Sequence, residues 1–312
     1  MRSDSLSLGH CHLCPRGCGV DRRAGQVGYC GAGEKVQVVK VMLHHWEEPC
    51  ISGCDNDTRG SGAVFFAHCP LGCVYCQNRD ISTRDCLLGR EMTPADLAEV
   101  FWQLQQDGAY NLNLVTPTHY AAQIAEALVL AKAKGLTLPV VWNTGGYESA
   151  AVIEHLAGLV DIYLTDLKYA DPTLAEQLSH AKDYPEKARE ALVAMVQQTG
   201  KVQFDGAGML THGVILRHLC LPGYRADSIA VLRQAAEAIT AAGGEITDVR
   251  LSLMRQYTPE PWIDGTLPRS LTRRVTTFEY ESVLAEAQAL GFLGYTQEKE
   301  SAVCSYTPDF QQ

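Results

Sequence analysis

Gly62-Ala-Val-Phe-Phe-Ala-His-Cys69-Pro-Leu-Gly-Cys73-Val-Tyr-Cys76-Gln-Asn78 is the stretch on which the reading of this chain turns. An apolar, β-prone run over residues 63–67 delivers three cysteines at C-x3-C-x2-C spacing, and Pro70 and Gly72 supply the tight loop between them. Three clustered thiolates hold three corners of a [4Fe–4S] cube, whereas a fully ligated cluster takes four cysteines. The fourth iron is then open to an exogenous ligand. A zinc loop or buried structural thiols are the plainer alternatives. Zinc wants a fourth Cys or His close by, and only His68 offers. The spacing favours the cluster.

Upstream, Cys11-His-Leu-Cys14-Pro-Arg-Gly-Cys18-Gly-Val and Gly28-Tyr-Cys30-Gly31 place four more cysteines at C-x2-C-x3-C-x11-C. Knuckle-like turns in which Gly17, Gly19 and Gly31 tolerate positive φ form a metal-binding layout. Four thiolates leave no vacancy, so the site reads as closed: structural Zn²⁺ or a second, electron-relaying Fe–S cluster. Arg16, Arg22, Arg23 and Lys35 make this the most basic stretch of an acidic chain, either a solvated face or a docking surface for an acidic partner. Cys50 and Cys54 fall in a Gly/Asp/Asn-rich stretch and read as spare. Glu47 and Glu48, next to His44 and His45, are a further metal or acid–base candidate without a partner fixed by spacing.

Composition narrows the class. With 46% hydrophobic and 20% charged residues the 312-residue chain is ordinary globular material, long enough for one large domain or a domain with an appendage. A net charge of −10 with no basic block argues against nucleic acid as a partner. No apolar run approaches the ~18 residues of a membrane span. Residues 1–9 are polar and lack a secretory h-region. Twelve cysteines without an export signal point to metal rather than disulfides. A cytoplasmic, oxygen-sensitive protein is expected, with the sequon at Asn56 idle.

Beyond residue 64 the pattern alternates. Thr93-Pro94 opens a helix that stops near Gly108. Strands are expected at 111–116, 138–143, 160–166, 214–219 and 247–254. Helices are expected at 121–134 (capped by Gly135), 149–157, 185–198, 228–242 and 278–290, with a last short strand at 291–295. Apolar strands separated by amphipathic helices imply a parallel sheet, and six such units suit an α/β fold of partial (β/α)6 TIM-type barrel. A doubly wound Rossmann sheet is the runner-up, but no G-x-G-x-x-G follows a strand. Barrel sites lie at the carboxyl ends of strands, which singles out Thr116, Asn143, Thr144, Asp166, Lys168, Arg217 and Gln256.

The Cys69/Cys73/Cys76 triplet, with Tyr75 before its last cysteine, resembles the signature of radical S-adenosylmethionine (SAM) enzymes. In these the open iron chelates the SAM amino and carboxylate groups, and one electron cleaves the sulfonium to give a 5′-deoxyadenosyl radical. Asp166-Leu-Lys168, Asn143-Thr-Gly-Gly-Tyr147 and Arg217-His-Leu-Cys-Leu-Pro-Gly223 resemble strand ends of glycyl-radical activating enzymes. His45-Trp-Glu-Glu-Pro-Cys-Ile-Ser-Gly53, Asn113-Leu-Val-Thr-Pro-Thr-His119 and Leu253-Met-Arg-Gln-Tyr257 are similar to an Fe–S protein family related to pyruvate formate-lyase activating enzyme. The resemblance covers nearly the whole chain and divides it into an N-terminal Cys-rich metal-binding segment, 1–58, and a radical SAM partial barrel, 59–312.

The resemblance implies SAM as cofactor, a flavodoxin- or ferredoxin-type reductant, and an oxidoreductase acting on a glycyl-radical-type protein. The usual Gly-Gly-Glu after the second strand is missing; Val115-Thr-Pro-Thr-His119 stands there, its carbonyls and the Thr116 and Thr118 hydroxyls facing the role of ammonium acceptor. Lys168 and Arg217 suit the SAM carboxylate, with Asp166 and Thr144 ordering Lys168. The same residues also read as a structural ion pair at a barrel rim and a buried strut. Two other functions remain open: radical chemistry on a small molecule or another protein residue, and a non-catalytic zinc-binding interaction module.

Overall fold

The computed structural model describes residues 5–53, 58–259, 262–263, 267–297 and 310; Cys54 and Asn56 lie outside these. In chain order the elements are β1 (Val36–His44), α1 (Pro49–Ser52), β2 (Ser61–Phe66), α2 (Arg79–Ser82), β3 (Arg90–Met92), α3 (Pro94–Gln106), β4 (Leu112–Val115), α4 (Ala121–Lys134), β5 (Val140–Thr144), α5 (Ala150–His155), β6 (Ile162–Asp166), α6 (Pro172–Ser179), α7 (Tyr184–Thr199), β7 (Gln203–Phe204), β8 (Leu210–Leu219), α8 (Arg225–Ala241), β9 (Val249–Met254), α9 (Thr277–Ala289) and β10 (Leu293–Thr296).

The strands lie in the order β10-β9-β8-β6-β5-β4-β2-β1-β3. From β2 to β10 every pairing is parallel and spatial order follows chain order, with β7 a side hairpin on β8. A doubly wound sheet needs a reversal of that order, and the described strands contain none. With crossovers of one hand, such an order curves the sheet as in a barrel. The path ends at β3 and β10 without closing. Antiparallel β1 and β3 cover the β2 edge, so a strand N-terminal to residue 58 belongs to the same sheet.

Alternation along the strands sorts the core. Val140, Trp142, Tyr163, Val214 and Leu216 point out to the helices and join the large core, while Val141, Ile162, Leu164 and Ile215 point into the concave face. The short α1 crosses that concave face, packing Cys50 and Ile51 on the same four side chains. Further along the same face come polar residues, Asn113, Asn143, Asp166, Arg217 and Ser252, with apolar Val115, Leu219 and Met254 at the ends of β4, β8 and β9. Register brings Asp166 opposite Arg217, and Arg217 opposite Ser252. The strand pattern itself assembles a polar site above an apolar plug.

The helices follow their local signals. Thr93 and Asp96 form a capping box that spans Pro94, and α4 ends at the left-handed Gly135. Helices α1, α2 and α6 are not among those expected, although α6 has a readable start, capped by Asp171 and opened by Pro172. β8 also starts earlier than expected because its first residues pair with β7.

Candidate active site

β2, with all six residues buried, leads into the cysteine loop. Each of the three sulfurs accepts a hydrogen bond. Ser179 Oγ donates to Cys73 Sγ (3.0 Å), Ser82 Oγ to Cys76 Sγ (3.4 Å) and the Leu71 amide to Cys69 Sγ (3.4 Å). His68 is turned away, with Nδ1 3.1 Å from the Thr83 carbonyl and Nε2 3.1 Å from Gln37 Oε1. It leaves the triplet without the fourth ligand that a zinc loop wants.

Cys73 and Cys76 face Asn143, Asp166, Lys168, Arg217 and Gln256 across a cavity of about 250 Å³. Lys168 Nζ lies 2.5 Å from Asp166 Oδ2, and Arg217 Nε donates to Asp166 Oδ1 at 2.9 Å. The same guanidinium donates to Asn143 Oδ1 (2.7 Å) and to Glu47 Oε2 (3.3 Å), while Asn143 Nδ2 donates to Glu47 Oε1 (3.1 Å). Burial by itself would raise the Asp166 carboxyl, but the Lys168 and Arg217 charges outweigh it and hold the group below its ordinary value. Burial would likewise lower Lys168; the Asp166 carboxylate reverses that and raises it. Glu48, buried behind Glu47, is raised, first by burial and then by the Glu47 charge, with Arg217 opposing.

Thr116, Thr118 and Thr144 do not line this cavity. Thr144 follows the inward Asn143, so alternation turns it to the outer layer. There Thr118 Oγ1 (2.6 Å), Thr144 Oγ1 and Trp142 Nε1 (3.2 Å) all donate to the buried Glu148 carboxylate. Burial pushes Glu148 up to about 7 against these three donors. Thr116 holds a left-handed φ of 59°, unusual for a β-branched residue, and its amide donates to the Asn143 carbonyl at 2.8 Å. Gly146, at φ 81°, is required beside this turn because a Cβ would sit 2.0 Å from the Asp166 carbonyl oxygen.

Residues 64–224, just over half of the 312-residue chain, match the family model of the radical SAM superfamily. The chain belongs to that superfamily. It is 27% identical over 290 residues, 89% of this chain and 74% of the relative, to an uncharacterized protein from Methanocaldococcus jannaschii. It is also similar to a solved radical SAM methyltransferase from Sphaerobacter thermophilus. That match has a TM-score of 0.50 and 15% identity, and covers 78% of this chain and 69% of that one. A match to Streptococcus suis SuiB bound to precursor peptide SuiA has a TM-score of 0.47 and 12% identity, covering 74% of this chain and 47% of that one. The first of these likenesses bears on the fold alone.

Membership of the radical SAM superfamily implies a [4Fe–4S] cluster and SAM, and the donor set fits the cluster. Among the described residues no three His, Cys, Asp or Glu gather to hold a single metal ion. A cube asks for something else, three separate thiolates, each on its own iron. The amides of Leu71 and Gly72 face Cys69, and that of Asn78 faces Cys76. As bare thiolates they would be ill placed, since burial pushes Cys69 up to about 12 and raises Cys76 as well; bound iron would supply the charge that offsets this. Among the described residues, no helix of this radical SAM protein is long and apolar enough to cross a membrane.

The N-terminal cysteines sit in irregular chain packed on the cluster loop. Gly17, Gly19 and Gly31 all adopt positive φ, and a Cβ on Gly31 would lie 2.1 Å from the Arg84 carbonyl oxygen. The basic stretch does not simply face outward. Arg16 stacks 3.8 Å from the Tyr29 ring centroid and donates to the carbonyls of Pro70 (2.9 Å), Leu71 (3.3 Å), Ser179 (3.2 Å) and His180. Arg22, 1% exposed, donates to the Gly33 (2.8 Å) and His119 (2.5 Å) carbonyls. Two of the four cations weighed for a docking surface are therefore staples to the cysteine loop and to the turn after β4. Glu47 is the site residue that the sequence left in the background. Its partners lie 66 to 170 positions away, a distance that local pattern does not span.

Proposed function

We propose that this chain binds SAM between the Cys69–Cys76 loop and the Asp166–Lys168–Arg217 network. There it cleaves SAM reductively and abstracts hydrogen from a protein substrate, as glycyl-radical activases do. What supports this is the joint presence of the cysteine triplet and two paired cations on one cavity. A [4Fe–4S] cluster, when bound, supplies the electron that splits the sulfonium. Arg217 has five N–H groups and donates three of them to Asp166, Asn143 and Glu47, so two remain for a carboxylate. Lys168 adds its free N–H groups beside them. Glu47 and Asp166 fix the direction of that fork. The carbonyl of Val115, which lines the cavity, rather than the threonine hydroxyls held by Glu148, is assigned to the SAM ammonium.

At about 250 Å³ the cavity leaves no spare room beside SAM, so a substrate that presents only its reacting carbon, as a protein loop does, is favoured over one enclosed whole. The reductant is assigned to the flavodoxin or ferredoxin class. The four thiols at Cys11, Cys14, Cys18 and Cys30, no three of which gather about a single ion, are assigned a second Fe–S centre, with zinc as the alternative.

The test is anaerobic reduction of reconstituted protein with SAM. Stoichiometric 5′-deoxyadenosine is expected, abolished in Cys76→Ala. Weaker SAM binding at unchanged iron content is expected in Lys168→Met. Protein from cells grown on deuterated glycine should pass deuterium into 5′-deoxyadenosine, whereas the small-molecule filtrate should not. An absence of cleavage by iron-loaded protein contradicts the proposal, and deuterium transfer from the filtrate alone contradicts its substrate class.

A further inference from the structure

Behind the cysteine loop runs a chain of buried hydroxyls that the proposed function does not use. Tyr75 Oη lies 2.7 Å from Tyr169 Oη, Tyr169 Oη lies 2.6 Å from Ser179 Oγ, and Ser179 Oγ lies 3.0 Å from Cys73 Sγ. Tyr75, Tyr169 and Ser179 are 7%, 2% and 0% exposed. An iron-bound thiolate can only accept, so the Ser179 hydroxyl must donate to it. Its oxygen then accepts from Tyr169, whose oxygen accepts from Tyr75. All three protons point the same way, toward the sulfur. A phenol is protonated at neutral pH, so both tyrosines are donors.

We propose that Ser179, polarised by Tyr169 and Tyr75, raises the reduction potential of the cluster by donating to Cys73. This rests on the reading that Cys69, Cys73 and Cys76 hold that cluster. Reduction adds negative charge to the iron and its sulfurs, so a hydrogen bond to sulfur stabilises the reduced state more than the oxidised one. Hydrogen bonds in a chain strengthen one another, which makes the two phenols positioning residues for the serine. Of the three sulfurs, Cys73 receives the shortest such bond, and the chain that feeds it begins at a cavity wall, where Tyr75 stands. The last link depends on α6, whose final residue is Ser179. The Val74 amide donates to the Leu178 carbonyl (2.9 Å) and Arg16 to that of Ser179, and these hold the helix end against the loop.

The experiment is an anaerobic redox titration of the cluster without SAM, followed by its paramagnetic signal, with iron and sulfide counted in the same samples. Ser179→Ala should make reduction about tenfold less favourable, a shift of ~59 mV to more negative potential for one electron. Tyr169→Phe should shift it the same way by less, Tyr75→Phe by least, and Ser179→Thr should restore the native value. A native potential in fully loaded Ser179→Ala, or an equal shift in Ser179→Thr, overturns the proposal. If Ser179→Ala fails to load iron, Tyr169→Phe decides, because it leaves the serine in place; an unshifted potential there overturns it. Failure of the native chain to hold iron overturns the cluster reading instead.

Discussion

In the 69–76 loop the amides of Leu71 and Asn78 face the sulfurs of Cys69 and Cys76; in the N-terminal segment those of Arg16 and Ala32 face Cys14 and Cys30. The local device is the same, an amide two residues on turned toward a cysteine sulfur. The surroundings differ. Cys73 and Cys76 open on a cavity where Asp166 and Glu47 meet Lys168 and Arg217. The N-terminal group instead lies among arginines that bond to backbone carbonyls. Charged side chains facing carboxylates around a cavity are arranged to receive a ligand. Charged side chains facing carbonyls hold one stretch of chain against another. The number of cysteines differs too, three beside the cavity and four in the N-terminal segment.

The largest effect that sharpens this contrast is expected on the cavity side. Arg217→Met leaves Asp166 and Glu47 without their shared cation, and breaking a buried pair costs roughly 3–5 kcal/mol. Urea unfolding should show a loss of that size together with weakened SAM binding; a loss below ~1 kcal/mol would mean that the network is solvated and not preorganised. Next comes Glu148, behind the same strand ends. Its carboxyl is raised from 4.5 to about 7, so its contribution to stability is full below 4.5 and lost as pH rises through about 7. Glu148→Gln should remove up to about 3 kcal/mol of that pH dependence between pH 5 and 8. An unchanged slope in thermal unfolding would place the carboxyl in water.

The N-terminal side should respond less. Arg16→Ala strips donors from four carbonyls, at roughly 1–3 kcal/mol, and hydrogen exchange should quicken at Leu71, Gly72 and Val74 before it does in β5. Uniform exchange across both would break the claim that Arg16 acts as a local staple. Smallest is Arg23→Ala, on an exposed residue, expected within ~0.5 kcal/mol of native. If Arg23→Ala and Arg16→Ala proved equal, the distinction between inward and outward arginines would fall.

The parts that could be read in the sequence were those fixed by neighbours in the chain. The cysteine spacing, the α4 bounds from residue 121 to Gly135, and the strand ends at Asn143, Asp166 and Arg217 all depend on local pattern. Alternation, followed one residue further, would have turned Thr144 away from the cavity, because Asn143 already faces it. Thr118 needed Glu148, and Glu148 is visible as a partner only once the β5 turn is formed. Helix α6 carried a readable start in Asp171-Pro172, but its eight residues are too few for a strong apolar period. Glu47 meets partners 66 to 170 positions away, and the hydroxyl chain links Tyr75 to Tyr169 and Cys73 to Ser179 across 94 and 106 positions; only the folded sheet brings them together.

The central claim is that the two cysteine groups differ in kind. It is tested most directly by anaerobic iron, sulfide and zinc counts per chain, in the native sequence and in a Cys69/Cys73/Cys76→Ala variant. The account predicts roughly four irons that vanish in the variant while the N-terminal metal stays, either as about one zinc or as a further four irons. Zinc at both sites with no iron after reconstitution, or loss of all metal in the variant, would contradict it.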